Sequence, residues 1–204
     1  MKYVKMLGLA AIAAAALMAF VGASTASATV LCKNNSNTTT CSEPWGAVTV
    51  KAEQTKTIKL DTTFKTVECG KSTIEGPASA GSSTTTVSGP IEASKLTWGE
   101  CNCTVNTIKG GTLEVHSVAG TDNGTLTSNG AEVTVSCSTI FGNVHCIYVT
   151  ENDDMGTLVG GNPATFEGSV SVRRLPTSGL CSEEATWTPA YKVTAPAPLF
   201  VSAG

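Results

Sequence analysis

The sequence predicts an all-β protein, an antiparallel β-sandwich stapled by disulfides, with a closed β-barrel as the alternative. Three observations predict it. Apolar and polar residues alternate with period two, turn signals recur between the alternating runs, and all eight cysteines follow the N-terminal segment. Alternation of period two marks a strand with one buried face, and no window beyond the N-terminal segment shows helical apolar spacing with caps. Thr is the commonest residue, and charged residues make up only 14% of the chain.

The first element is a leader. Lys2 and Lys5 precede an apolar run from Leu7 to Val21, followed by Ala26-Ser27-Ala28. That is the order of a secretory signal peptide over 1–28: a positive n-region, an h-region and an A-x-A cleavage site. An uncleaved anchor is the alternative, because the uncharged stretch continues to Val30. The run is mostly alanine and no basic stop-transfer residues follow, so cleavage after Ala28 is expected, leaving 29–204 as a single secreted β domain with no membrane span. That length suffices to bury a core. The mean hydropathy of +0.11 owes much to the leader. Lys2 and Lys5 leave with it, making the domain more acidic than the net charge of −3 for the whole chain. With no basic run beyond Arg173-Arg174, nucleic acid is excluded as a partner.

The strands follow in order. Short candidates are "AVTV" (47–50), "KTIKL" (56–60), "FKTVEC" (64–69), "STTTVSG" (83–89), "CTVNTI" (103–108) and "CIYVT" (146–150). "GTLEVHS" sets Leu113 and Val115 against Thr112, Glu114 and His116; "AEVTVSC" sets Val133, Val135 and Cys137 against Glu132, Thr134 and Ser136. "TFEGSVSV" places Phe166, Gly168, Val170 and Val172 on one face, and "WTPAYKV" aligns Trp187, Tyr191 and Val193. The tail "TAPAPLFVSAG" ends in a last edge strand. Turns are expected at Lys109-Gly110-Gly111, Asp122-Asn123-Gly124, Asn129-Gly130 and Gly160-Gly161-Asn162-Pro163. "ASAGSSTTT" (78–86) reads as a long hairpin connection within the domain. Gly-Thr-Leu recurs three times after turns, which is too generic for a repeat fold. The outer faces are rich in Thr and Ser, which disfavours a membrane barrel.

An even number of cysteines in an exported chain reads as a disulfide framework, with on the order of a hundred possible pairings. Proximity suggests Cys32 with Cys41 and Cys137 with Cys146. Cys101 and Cys103 are then expected to reach separately to Cys69 and Cys181, in either arrangement. In a strand, residues two apart share a face. Cys101, Cys103 and Val105 therefore point inward, whereas Leu96 and Trp98 have the opposite parity; a β-bulge at Gly99-Glu100 would explain the slip. Redox chemistry normally uses Cys-x-x-Cys at a helix N-terminus, and zinc needs four converging ligands, so "ECNC" reads as a structural joint.

Little else points to chemistry, and no cofactor or metal is implied. The two histidines, His116 and His145, read as surface residues; no Gly-x-Ser-x-Gly elbow occurs in the mature chain, and "GPASAG" (76–81) misses by one position. The acidic run "TENDDMG" (150–156) reads as a polar hairpin loop. It offers Glu151, Asp153 and Asp154 to an adventitious calcium ion but departs from the calcium-loop pattern. "LPTSG" (175–179) lacks the hydrophobic segment and basic tail of a wall-anchoring signal. Trp98 and Trp187 follow apolar parity and read as core. Trp45, behind Pro44 in a loop, is the candidate ligand-binding residue for a glycan or small molecule. Asn37-Thr38-Thr39 and Asn123-Gly124-Thr125 are sequons.

Several of these stretches together carry a resemblance. The leader "MKYVKMLGLAA", "TVEC", "W-x-x-C-N-C-T-V", "GTLEVH", "GAEVTV", "GTL-x-G-G-x-P-A-T" and "A-x-W-x-x-x-Y-x-V-x-x-P-x-P-L-F-V" resemble uncharacterised secreted proteins of soil actinobacteria, over almost the whole chain. The likeness implies export and no activity. In style rather than motif, the Thr/Gly-rich all-β build is also similar to exported alkane-oxidation-activator proteins associated with biofilm matrix, which transfers no residues. The expected function is a non-catalytic structural or adhesive role at the cell surface or in the extracellular matrix, with surface polysaccharide or self-association as partner. A glycan- or small-ligand-binding module is the alternative, and a secreted hydrolase using His116 or His145 comes third.

Overall fold

The computed structural model describes residues 28–35, 40–80, 85–140, 142–176 and 180–203. The expected leader up to Ser27 and the Asn37 sequon lie outside these. In chain order the strands are β1 (Thr29–Cys32), β2 (Val48–Gln54), β3 (Ile58–Asp61), β4 (Thr66–Ala80), β5 (Thr86–Pro90), β6 (Leu96–Cys101), β7 (Thr104–Lys109), β8 (Thr112–Ser117), β9 (Gly124–Thr139), β10 (Gly142–Val159), β11 (Thr165–Glu167), β12 (Val170–Arg174), β13 (Glu184–Thr188), β14 (Ala190–Ala195) and β15 (Phe200–Ala203). The alternation produces what it predicts, an antiparallel sandwich-like all-β fold with its apolar faces turned to a common core.

Three strands are far longer than the rest: β4, β9 and β10, at 15, 16 and 18 residues. Each serves two ladders. In one, hydrogen bonding runs from β2 through β14, β11, β10, β9, β8, β5 and β4 and returns to β2. In the other, it runs from β10 through β12, β13, β3 and β4 to β6, and separately from β10 through β9 to β7. This second circuit is open only between β6 and β7, which lie side by side but pair with β4 and β9 respectively. Strand β15 pairs with β1 (Thr29↔Ala203 to Cys32↔Phe200), a two-stranded sheet separate from the rest.

A strand crossing between ladders must bend, and the sequence does this with residues that looked like turns. Asn129-Gly130 lies inside β9, where Gly130 takes φ +71°. Opposite it, β10 shifts register between Val149 and Glu151 and again on to Asp153 and Gly156, with Asn152 at φ +60°. The acidic run is therefore not a hairpin loop but the bulged middle of β10. Bulging strips backbone groups of their ladder partners. Here the buried Thr150 substitutes: its Oγ1 accepts from Ala131 N at 3.0 Å and shares a hydrogen bond with Ser128 Oγ at 3.0 Å.

The third long strand changes phase differently. On β4, Val67 and Cys69 point inward, then Ser72 and Gly76; on β6, Leu96 is buried and the inward parity has switched by Cys101 and Cys103. The register is the same on both sides (Cys69↔Cys101, Lys71↔Gly99), so no residue is inserted and the expected bulge is absent. Both strands slip together, with Glu100 at φ +53° packed over Gly70, where a side-chain carbon would sit 3.2 Å from Glu100 Cβ. Two other expected strands are broken. "TFEGSVSV" divides into β11 and β12, and "WTPAYKV" into β13 and β14 at Pro189, while the predicted inward parity of Phe166, Val170, Val172, Tyr191 and Val193 holds. On either side of the expected 78–86 connection, β4 and β5 pair antiparallel (Ala80↔Val87), while its residues 81–84 lie outside the described residues.

All eight cysteines are disulfide-bonded: Cys32–Cys41, Cys69–Cys101, Cys103–Cys137 and Cys146–Cys181. The first pair is as expected, as is Cys101 with Cys69. Cys137 does not join Cys146, because across the β9–β10 hairpin Cys137 faces Val144 and Cys146 faces Val135. That diagonal is about 7–8 Å, beyond the span of a disulfide. Cys137 instead meets Cys103 (Cα–Cα 4.8 Å), just past the Thr104↔Ser136 pair. Cys181 is correspondingly taken by Cys146 (5.7 Å) rather than by Cys101 or Cys103. The Cys-x-Cys is thus a joint at the β6–β7 corner, one bond fixing each strand to its neighbour.

Two predictions follow from these joints. Thr150→Val leaves Ala131 N–H buried without its acceptor and should cost about 1–3 kcal/mol in urea unfolding; an unchanged midpoint would refute the bridging role. Replacing Cys103 and Cys137 together by Ser should cost about 2–4 kcal/mol. Peptide mapping of the unreduced wild-type protein should recover Cys103 linked to Cys137, and a Cys137–Cys146 peptide would contradict the fold.

Candidate functional site

Trp45 sits in the loop after Pro44, half-buried beside the β1–β15 pair, with its backbone N–H donating to Leu31 O at 2.8 Å. Its indole Nε1 donates to Pro198 O at 3.1 Å, and the Lys33 ammonium lies 5.1 Å from the ring centroid. The N–H is used and a cation occupies the ring, an arrangement that clamps the terminal strands. His145 and Ser136 are register partners across β9–β10, and Ser136 Oγ is 2.7 Å from His145 Nδ1 on the exposed face. Only the strand register brings them together, so no local pattern announces the pair. His116 lies between Thr86 and Thr125. Nucleophilic catalysis needs a base oriented by a third group, and among the described residues no carboxylate forms an ion pair with either imidazole.

The acidic run is occupied with its own backbone. Asp153 Oδ2 accepts from Glu151 N and Asp154 Oδ1 from Gly156 N, each at 2.8 Å, while Glu151 pairs with Arg173. Among the described residues no group of three His, Cys, Asp or Glu side chains is placed to hold a metal ion.

The feature the sequence did not announce is a hollow interior. One chamber of about 80 Å³ lies within the open circuit, walled by residues such as Leu60, Val67, Leu96, Trp98, Val133 and Trp187. A second of about 100 Å³ lies within the closed circuit, walled by Val50, Val87, Leu126, Phe166 and Tyr191 among others. Ile74, Ile91 and Leu113 belong to both walls. Native cores leave few voids larger than a water molecule. The chamber walls mix valines (Val67, Val87, Val133) with longer aliphatic and aromatic side chains.

The aromatic residues divide the polar work of these walls. Trp98 and Trp187 pack edge to face, centroids 6.1 Å apart at 67°, as apolar parity predicts. Trp98 Nε1 reaches across the β6–β7 seam to Thr107 Oγ1 (2.9 Å), whose hydroxyl donates to Leu96 O (2.7 Å). Trp187 Nε1 is buried with no hydrogen-bond partner. Tyr191 stacks on Phe166, and its hydroxyl shares a 2.7 Å hydrogen bond with Ser72 Oγ. Burial pushes the Tyr191 phenol far above its ordinary value, against a smaller opposing effect of the Ser72 hydrogen bond. Tyr148 is raised in the same direction, again chiefly by burial.

Fold and cystines together define a disulfide-tied, antiparallel all-β protein. Beyond that class, comparison with known proteins gives no relative: no family model, curated protein or solved structure matches the chain.

Buried Tyr191 predicts an alkaline limit to stability. Below the ordinary phenol value of 10.0 both folded and unfolded chains keep the proton, so the contribution is complete. Above it the unfolded chain releases the proton first, and stability falls as pH rises toward the folded value. The decline in Tm above pH 10 should be shallower in Tyr191→Phe than in wild type; parallel profiles would exclude Tyr191 as its source.

Proposed function

We propose that the chain is a secreted, non-catalytic structural or adhesive protein of the cell surface or extracellular matrix. The observation that carries this reading is the disulfide arrangement: no cysteine is left free, and two of the bonds fix directly facing strands at the seam. Such bonds persist in oxidising compartments. Among the described residues no helix is long and apolar enough to cross a membrane. The outer faces suit a hydrated matrix: hydroxyls meet across strands (Thr73 with Thr97, 2.6 Å) and charges are paired, as Glu75 is with Lys51 and Lys95. The resemblance to secreted actinobacterial proteins points the same way. A glycan-binding reading is less well supported, because the Trp45 indole already holds Lys33 and Pro198. Hydrolysis is the weakest, since among the described residues no carboxylate forms an ion pair with His145.

The test is fractionation of the producing cells together with thiol labelling. The protein should start at Thr29, take alkylating label only after reduction, remain with the cell-surface or matrix fraction, and tolerate Trp45→Ala, His116→Ala and His145→Ala. Free release into the medium would overturn the matrix role. Retention on polysaccharide that disappears with Trp45→Ala would establish the glycan reading instead.

A further inference from the structure

We infer that Asn129 is a self-modification site, where attack by the Gly130 backbone nitrogen at the bend of β9 converts the side-chain amide to an aspartyl or isoaspartyl carboxylate. This goes beyond a structural role and does not depend on it.

The sequence contains two Asn-Gly pairs, Asn123-Gly124 at the start of β9 and Asn129-Gly130 inside it. Glycine after asparagine is the most reactive setting for this chemistry, because no Cβ shields the attacking nitrogen and the backbone turns freely. The fold treats the two pairs oppositely. Asn123 Oδ1 accepts from Gly160 N at 3.0 Å, and its backbone carbonyl accepts from Val118 N at 3.0 Å. Gly124 is buried between register partners Ser117 and Leu158, and a Cβ there would lie 2.6 Å from Val115 Cγ1. Neither that side chain nor that peptide has room to turn. Asn129 is exposed, and among the described residues its side chain makes no hydrogen bond. Gly130 has no register partner in the ladders with β7, β8 or β10; on β10 the pairs jump from Asn129↔Glu151 to Glu132↔Val149. Its φ is +71°, and the space a Cβ would occupy is open. The lapse of pairing at the bend leaves this peptide free to rotate.

The step needs only water. The Gly130 nitrogen, having lost its proton to hydroxide, attacks Asn129 Cγ. That N–C bond forms as the Cγ–Nδ2 bond breaks, and ammonia leaves after taking up a proton. Water then opens the five-membered imide at Cγ, giving aspartate, or at the Asn129 backbone carbonyl carbon, giving isoaspartate. Nothing is oxidised or reduced, and a neutral amide becomes a carboxylate. The new charge arises opposite Glu151, the register partner of Asn129, which already pairs with Arg173. Like charges directly opposite each other across strands are destabilising. Isoaspartate also routes the main chain through the former side chain, lengthening it next to Ala131, whose N–H is held by Thr150. The modification therefore acts on the bend that lets β9 serve two circuits.

The experiment holds the folded, oxidised protein at mildly alkaline pH. It follows charge by isoelectric focusing, ammonia release, and the converted residue by electron-transfer fragmentation, which separates aspartate from isoaspartate. A single acidic step is expected, localised to Asn129 and faster as hydroxide increases. Asn123, reactive only in locally opened molecules, should convert at least about tenfold more slowly; after reduction and denaturation the two should convert at similar rates. Asn129→Gln, a substitution at an exposed position, should abolish the acidic step of the folded protein. In the isolated acidic species, the Ala131 amide should exchange its hydrogen faster than in fresh protein. Equal rates at Asn123 and Asn129 in the folded protein would overturn the site. So would an acidic step that survives Asn129→Gln, or no conversion at Asn129 over a period in which the denatured chain converts. Unchanged protection of the Ala131 amide would overturn the effect on the bend.

Discussion

The interaction on which the architecture depends is the pair of hydrogen bonds made by the Thr150 hydroxyl. A strand that serves two ladders has to bend between them, and at the bend its amides lose their partners. An unpaired backbone group away from water costs about as much as a hydrogen bond is worth or more. Thr150 supplies the missing acceptor to Ala131 N, and Gly130 and Asn152 supply the left-handed conformations on either side. With the bend made at no such penalty, β9 and β10 can run through both circuits. Without it the bend would leave Ala131 N–H without its acceptor, at a cost of about 1–3 kcal/mol.

The hollow interior is the other side of the same constraint. A ladder that returns on itself with about eight strands encloses a space just wide enough for side chains to fill. Here the inward side chains mix valine with leucine, isoleucine and aromatic residues, and the phase slip at Gly70 and Glu100 turns β4 and β6 over beside Cys69, which walls the first space. The two spaces share Ile74, Ile91 and Leu113 as wall residues.

What the sequence revealed, it revealed locally. Period-two alternation identified the inward faces of Val133 and Val135, of Phe166, Val170 and Val172, and of Tyr191 and Val193, even where the expected strand proved to be two. Parity also placed Cys101 and Cys103 together on the inner face and identified them as a joint. The failures were all matters of which strand lies beside which. Asn129-Gly130 and the acidic run carry turn chemistry, and a bend within a paired strand uses the same conformations as a turn between strands. Cys137 and Cys146 are near in sequence and both inward, but their register places them on a diagonal. The seam, the chambers and the Ser136–His145 contact arise from pairings between distant strands, and no local pattern encodes those.

The disulfides have a property apart from their places in the fold: each cysteine is joined to the next one along the chain, 32 to 41, 69 to 101, 103 to 137 and 146 to 181. A chain threaded through a membrane from its N-terminus presents its thiols in that order. An oxidant that simply joins each newly arrived thiol to the one still waiting would reach the native set with no reshuffling. The pairing of β1 with β15 can form only once Phe200–Ala203 is present, so a chain whose thiols are joined in sequence order acquires all four bonds before that pair closes.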